Sequence, residues 1–227
     1  MPSVKLPPVL AWSYSRYSDY KTCPAKFMYK HLLKMPDPGS PAMERGNVIH
    51  KLAEDFVRGK IDLPPELKNV KEELNHLKDN MATVEQSWGF KKNWEWIGRP
   101  GWFGDDVWFR AKADVTLLYD DSTLLLIDWK TGKKYYTNEE QVELFALAGF
   151  RRFPEVTEVD TRLLYTDIDP SDNEIQRVYK RNELEAIQKD WTKRVVPMFK
   201  DRKFAPTPNQ WCHRCAFSKG KGGPCKF

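Results

Sequence analysis

Apolar and polar positions near the middle of the chain predict a β-hairpin. The unbroken apolar run Leu124–Ile127 is typical of a buried strand, and it ends in Asp128-Trp129-Lys130. Upstream, the segment Val107–Tyr119 is rich in apolar and β-branched residues and predicts a second strand. The segment Asp120-Asp121-Ser122 between them has the composition of a turn. The pattern therefore predicts two strands joined by a short loop.

This hairpin predicts which side chains face each other. With a three-residue loop, Tyr119 pairs with Thr123, and the same register places Asp114 directly opposite Asp128. Lys130 shares the face of Asp128 because side chains alternate along a strand. Like charges about 5 Å apart on opposed strands are destabilising unless something offsets them. A divalent cation is the natural remedy, so the pattern predicts two carboxylates and a lysine around a metal.

Periodic segments on both sides of the hairpin predict an α/β fold. The predicted helices cover 13–33, 42–58, 64–80, 138–152 and 182–199, with Ser13, Asn138 and Asn182 as N-caps, and the other strands cover 83–90, 159–167 and 174–179. This order predicts a mixed β-sheet with an antiparallel meander, flanked by helices. We expect one domain over 1–227, with a Cys-rich tail, 202–227, that has too little apolar periodicity to fold alone.

The bulk composition is that of a soluble globular protein. The chain has 227 residues, of which 41% are hydrophobic and 30% charged. It has no run of about 20 apolar residues that could span a membrane. The start, Met1–Leu6, lacks the apolar core of a signal peptide, which predicts a cytoplasmic protein of a bacterium or of a phage-infected cell. The net charge of +5 is compatible with a polyanionic partner.

The chemically active residues, taken in order, resemble the PD-(D/E)XK nuclease superfamily, and within it the RecB-like exonucleases. The resemblance spans most of the chain and rests on these segments: Ser13-Tyr14-Ser15-Arg16-Tyr17, Cys23-Pro24, Gly46-Asn47-Val48-Ile49-His50, Asp114, Asp128-Trp129-Lys130-Thr131-Gly132 and Gln141. It implies a restriction-endonuclease-like fold and a metal-dependent DNA exonuclease. One departure is Phe145, where related families usually have a tyrosine.

The resemblance also implies roles for individual residues. Asp114 and Asp128 would bind Mg²⁺ or Mn²⁺, with His50 and the backbone carbonyl of Trp129 as further ligands. Such an ion lowers the pKa of its bound water and stabilises charge that develops on the phosphate. Lys130 would orient or deprotonate the attacking water, or stabilise that charge, and the sequence leaves these roles open. The catalytic set also includes Gln141, which would contact DNA or Lys130. Glu85 would lie behind the site or be a surface charge.

The four cysteines predict a metal or cluster site, because a chain without an export signal rarely forms disulfides. Their arrangement resembles the iron–sulfur staple of CRISPR-associated RecB-like nucleases and AddB-type helicase–nucleases. This likeness implies a [4Fe–4S] cluster bound by Cys23, Cys212, Cys215 and Cys225, which would tie the tail to the first helix. The nine residues between Cys215 and Cys225 are more than expected, and four thiolates also suit Zn²⁺.

A basic and aromatic segment directly after the hairpin predicts contacts with DNA. Lys133, Lys134, Tyr135 and Tyr136 suit the binding of phosphates and the stacking of bases in a single strand, although a solvated loop has the same composition. We therefore expect an exonuclease that acts on single-stranded or frayed DNA ends in recombination, repair or DNA degradation. The alternatives are a catalytically weak DNA-end-binding module, an endonuclease, or a CRISPR-adaptation end-processing nuclease. Polarity and oligomeric state stay open.

Overall fold

The computed structural model describes residues 6–98, 102–120, 122–135 and 139–227. The chain divides into two compact units, one formed by 1–39 with 190–227 and the other by 40–189. The expectation of one domain stays a prediction. The α-helices are α1 (Tyr14–Thr22), α2 (Pro24–Phe27), α3 (Pro41–Val57), α4 (Lys71–Asp79), α5 (Glu139–Arg152) and α6 (Leu184–Lys200). No helix in this described part is long and apolar enough to cross a membrane.

The second unit contains a five-stranded mixed sheet, which confirms the predicted α/β class. Its strands are β1 (Thr83–Phe90), β2 (Phe109–Leu118), β3 (Thr123–Lys130), β4 (Glu158–Tyr165) and β5 (Glu174–Lys180), and they lie side by side in chain order. The β3–β4 pair is parallel, and the other three neighbouring pairs are antiparallel. The parallel pair needs a crossover, and α5 provides it.

The hairpin register agrees with the prediction. Val115 pairs with Ile127, and the Tyr119 backbone N–H donates to the Thr123 carbonyl oxygen at 3.0 Å. One step beyond the Val115–Ile127 pair, this register places Asp114 opposite Asp128.

Helices pack on both faces of the sheet. On one face, buried apolar side chains at odd-numbered positions of β2 and β3, such as Val115 and Ile127, form one cluster with those of α3, α4 and the turn Pro65–Val70. The other face meets α5 at Gly149, where an added Cβ would lie only 2.9 Å from Leu124 Cδ2 and 3.1 Å from Leu126 Cδ1. The even-numbered positions, which include Asp114 and Asp128, belong to this second face.

The first unit shows how local sequence sets helix ends. Ser13 caps α1 as predicted, since its hydroxyl accepts from the Arg16 backbone N–H at 3.4 Å. The predicted helix 13–33 is interrupted at Cys23, which is extended with φ −164° and ψ 112°. The helical conformation is disfavoured for a residue that precedes a proline, and Cys23 precedes Pro24. A π-helical turn, Met28–Leu32, then ends the helical segment.

The predicted cap at Asn182 is wrong. A 3-10 turn, Arg181–Glu183, precedes α6, and the Glu183 carboxylate accepts from the Lys180 backbone N–H at 2.6 Å. Glu183 therefore stabilises the start of this segment. The prediction of Asn182 as the N-cap missed this role. Asn138 and Asp121, named as a cap and a turn residue, lie outside the described residues.

Candidate active site

The Asp128 carboxylate is held between a lysine and an amide at the end of β3. The Gln141 Nε2 atom, in the first turn of α5, donates to Asp128 Oδ1 at 3.0 Å. The Lys130 ammonium contacts Asp128 Oδ2 as an ion pair, as expected for two residues on one strand face. Asp128 Oδ2 is buried, and this ammonium is its ionic partner. Asp128 is 7% exposed.

The Asp114 carboxylate connects β2 with α3 and with the backbone of β3. Its Oδ2 atom accepts from the Trp129 backbone N–H at 2.9 Å and lies 3.1 Å from His50 Nδ1. His50 projects from the interior of α3, which thereby supplies the imidazole from a different element. The structure thus brings together the five side chains His50, Asp114, Asp128, Lys130 and Gln141.

Burial and nearby charges shift two pKa values in this cluster in the same direction. Burial raises the pKa of Asp128 against the opposing charge of Lys130, and the Asp114 carboxylate raises it further. Burial acts to lower the pKa of His50, but the hydrogen bond and charge of Asp114 outweigh it, so this pKa is raised. The cluster therefore favours added positive charge, whether from a proton or from a metal ion.

The donor set fits a hard divalent cation. The Asp114 carboxylate lies close enough to Asp128 to raise its pKa, and Asp128 Oδ2 is a buried acceptor that forms an ion pair with the Lys130 ammonium. Lys130 thus supplies the positive charge that a bound ion would bring. Across residues 6–98, 102–120, 122–135 and 139–227, no three His, Cys, Asp or Glu side chains are arranged as a complete metal cage. Binding an ion through three such side chains would therefore require them to adjust.

The remaining predicted residues have different surroundings. Glu85 lies on β1 in a left-handed conformation, with φ 61°, and forms an ion pair with Lys112. The Lys134 Nζ atom bonds to Asp172, at 2.8 Å to the carbonyl oxygen and 2.7 Å to Oδ1. Lys133 and Tyr135 are exposed. Tyr136 lies outside the described residues. Phe145, in place of the usual tyrosine, is buried.

The four cysteines all lie in the first unit as free thiols. Burial raises the pKa of Tyr29, and the charges of Cys225, Cys23 and Cys215 raise it further, so these three cysteines lie in its neighbourhood. Cys23 Sγ accepts from the Thr207 backbone N–H at 3.4 Å, and Cys212 Sγ accepts from that of Asn209 at 3.3 Å.

The comparisons with known proteins identify one family. A sequence profile of the PD-(D/E)XK nuclease superfamily matches residues 11–219. No curated protein matches the chain. Two solved structures are among those that match the chain at low sequence identity. A candidate exonuclease from Eubacterium rectale shares 12% identity over 91% of this chain and 87% of its own, with a TM-score of 0.49. The alkaline exonuclease LHK-Exo from Laribacter hongkongensis, in its complex with dAMP, shares 14% sequence identity over 84% of this chain and 88% of its own, with a TM-score of 0.38.

Proposed function

The chain belongs to the PD-(D/E)XK nuclease superfamily, and from this premise we propose that it is an Mg²⁺- or Mn²⁺-dependent deoxyribonuclease of the RecB-like type. The observation that carries the proposal is the proximity of two carboxylates, Asp114 and Asp128, with the Lys130 ammonium paired to Asp128. Hydrolysis of a phosphodiester needs a cation near the phosphate and an activated water. This cluster offers hard oxygen ligands in a buried position where positive charge is stabilised.

Each residue has a proposed part in this chemistry. Asp114 and Asp128 would hold the ion, with His50 and the Trp129 carbonyl as further ligands, and the ion would supply an activated water and a Lewis acid. Gln141 holds the Asp128 carboxylate in place through its Nε2 atom. Lys130, whose side chain is 24% exposed, can donate a hydrogen bond from Nζ to a phosphate oxygen, or to the oxygen of the attacking water and so orient it.

We propose that the substrate is DNA with a single-stranded or frayed end, as in recombination, repair or DNA degradation. The support is the basic and aromatic segment Lys133–Tyr135 beside the site and the excess of positive charge. Lys134 is engaged by Asp172, so Lys133 and Tyr135 are the described members of the segment that are exposed to solvent.

Digestion of end-labelled single strands, linear and circular, with Mn²⁺ or Mg²⁺ tests this proposal. We expect linear strands to be degraded from their ends, chelator to stop the reaction, and Asp128→Ala to abolish it. Asp105→Ala, which removes an exposed carboxylate, is the matched control and should stay active. Cleavage of closed circles would indicate an endonuclease, and binding of ends without cleavage would indicate a DNA-end-binding module. Trimming of defined overhangs alone would favour an end-processing role in CRISPR adaptation.

For the cysteines we propose a [4Fe–4S] cluster that ties the tail to the first helix, with Zn²⁺ as the alternative. The support is the approach of three cysteines to Tyr29 and the backbone N–H groups that reach the sulfurs of Cys23 and Cys212. Protein purified without oxygen should be brown, with broad absorbance near ~400 nm, and Cys225→Ser should be colourless. A colourless wild-type protein with one zinc per chain would contradict the cluster and favour zinc.

A further inference from the structure

The turn between β4 and β5 supports the backbone that follows the catalytic strand. The Thr166 backbone N–H donates to the Lys130 carbonyl oxygen at 2.9 Å, and its hydroxyl approaches the same oxygen at 3.3 Å. The next residue, Asp167, accepts from the Gly132 backbone N–H through Oδ2 at 2.6 Å. Gly132 has φ +78°, a conformation that favours glycine. Two consecutive residues of one turn therefore hold the chain on both sides of Thr131.

The same Asp167 carboxylate reaches α3, the helix that carries His50. The Arg45 guanidinium donates to it twice, from Nη1 to Oδ2 at 2.7 Å and from Nη2 to Oδ1 at 2.5 Å. Hydrogen bonding to Arg45 holds the pKa of Asp167 below its usual range, so the carboxylate is charged at neutral pH. Directly beside this pair, a Cβ added to Gly46 would lie 3.6 Å from Thr131 Oγ1, which is ordinary contact. The helix and the turn after β3 thus pack closely here.

We propose that Asp167 is a positioning residue that sets the distance between His50 on α3 and Lys130 on β3. This inference rests on the proposed nuclease function. Oδ2 accepts from both Gly132 and Arg45, and Oδ1 accepts from Arg45 alone. Only a carboxylate offers two charged acceptors to all three donors, because an amide would present one acceptor and repel the guanidinium with its NH₂ group. Asp167 contacts neither His50 nor Lys130, so it would act through the backbone.

Asp167, with its partners Arg45 and Gly132, forms a clamp between α3 and the chain after β3. This clamp differs from an ordinary surface ion pair in what its loss should change. Arg45 and Asp167 side chains are 50% and 26% exposed, and such pairs contribute little to stability. Their removal should therefore leave the unfolding transition nearly unchanged. The Gly132 amide, however, would lose its acceptor, and the segment that carries Lys130 would lose its link to α3. A loss of kcat with an unchanged unfolding transition is the expected signature of positioning.

Asp169 provides a matched control in the same turn. Its Oδ1 atom accepts from the Ser171 backbone N–H at 3.0 Å and from the Ser171 hydroxyl at 2.6 Å, so these hydrogen bonds stay within the turn. We compare Asp167→Ala, Arg45→Ala, the double variant and Asp169→Ala. Four quantities are measured on the full chain: kcat and KM on end-labelled DNA, the urea unfolding midpoint, and the rate of hydrogen exchange at the Gly132 amide.

We expect Asp167→Ala to lower kcat roughly 10- to 100-fold, as for residues that orient metal ligands, with KM nearly unchanged. Gly132 exchange should accelerate at least about tenfold, because its N–H loses a charged acceptor. Arg45→Ala should lower kcat less, and the double variant should match Asp167→Ala alone, since both act in one unit. Asp169→Ala should behave as wild type.

Three results would overturn the clamp. They are unchanged Gly132 exchange in Asp167→Ala, unchanged kcat of that variant, and an equal loss of kcat in Asp169→Ala, which would show that the whole turn and not the clamp matters. If the wild-type chain cleaves no DNA, the proposed function fails, and the exchange measurement still tests whether Asp167 holds the turn.

Discussion

The Asp114 carboxylate lies close enough to Asp128 to raise its pKa, and the register of β2 and β3, extended one step beyond the Val115–Ile127 pair, places the two residues opposite each other. Like charges at opposed positions repel, and burial strengthens the repulsion. Two groups from other elements offset this repulsion: His50 of α3 contacts Asp114, and Gln141 of α5 donates a hydrogen bond to Asp128. The repulsion lowers the stability of the fold, whereas the proposed function needs both carboxylates.

Replacing Asp128 by Asn should separate these two properties. The change removes a buried charge that faces Asp114 and keeps the shape of the side chain. We expect the free energy of unfolding without metal to rise by about 1 kcal/mol, while DNA cleavage falls roughly 10²- to 10⁴-fold. Urea unfolding and single-turnover digestion would measure both. A less stable, inactive variant would show instead that the Lys130 ion pair outweighs the repulsion.

Removing the amide of Gln141 should reduce the rate without removing the carboxylates. Its Nε2 atom holds Asp128 Oδ1, so Gln141→Ala leaves this buried ligand less well oriented. We expect kcat to fall roughly 10- to 100-fold. Glu139→Ala, in the same helical turn but pairing with the exposed Arg177, is the matched control. A KM effect without a kcat effect would assign Gln141 to DNA binding instead.

A partly buried carboxylate, Asp19, should make the stability of the first unit depend on pH. Burial opposes the charge of Asp19, but hydrogen bonds from His31 at 2.8 Å and Lys26 at 2.7 Å outweigh it, and the pKa lies well below the usual range. This stability is present above the unfolded-state pKa of about 3.9 and is lost as the pH falls below it. Asp19→Asn should therefore cost about 1.5–3 kcal/mol at pH 7.

The difference between wild type and Asp19→Asn should shrink as the pH approaches 3, because the native carboxylate then gains less over the unfolded one. Urea unfolding at both pH values measures it, with Asp79→Asn, an exposed carboxylate, as the control. A difference that is the same at both pH values would show that packing and not charge is responsible.

Two helical glycines should respond oppositely to alanine. At Gly46 an added Cβ meets Thr131 Oγ1 at 3.6 Å and fits, so Gly46→Ala should stabilise by about 0.5–1 kcal/mol through helix propensity. At Gly149 the Cβ would lie 2.9 Å from Leu124 Cδ2, and this overpacking should cost about 1–3 kcal/mol. Thermal unfolding of both variants tests the contrast. Equal effects at the two positions would contradict the close packing of α5 on the sheet.

The parts of the fold that the sequence predicted are those set by local chemistry. The Tyr119–Thr123 register follows from a short loop, and the Ser13 cap follows from a hydroxyl before a helix. These signals lie within a few residues of the structure they specify. The predicted cap at Asn182 failed because Glu183 competes from the next position, bonding to the Lys180 N–H.

The Arg45–Asp167 clamp could not be predicted. Its members are 122 positions apart in the chain, and an exposed arginine or aspartate has no local signal. Likewise, the engagement of Lys134 by Asp172 depends on how the β4–β5 turn meets the β3–α5 loop. The sequence predicted side chains that the structure brings together at the candidate site, but the contacts that hold those side chains in place come from tertiary structure.

The crossover by α5 also affects the order in which the site can form. Asp114 and Asp128 meet within one hairpin, which closes a loop of only three residues and so forms early at little entropic cost. Gln141 reaches Asp128 only after α5 has docked on the sheet. A nascent chain can therefore bring its two acidic residues together before the helix that contacts Asp128 has been made.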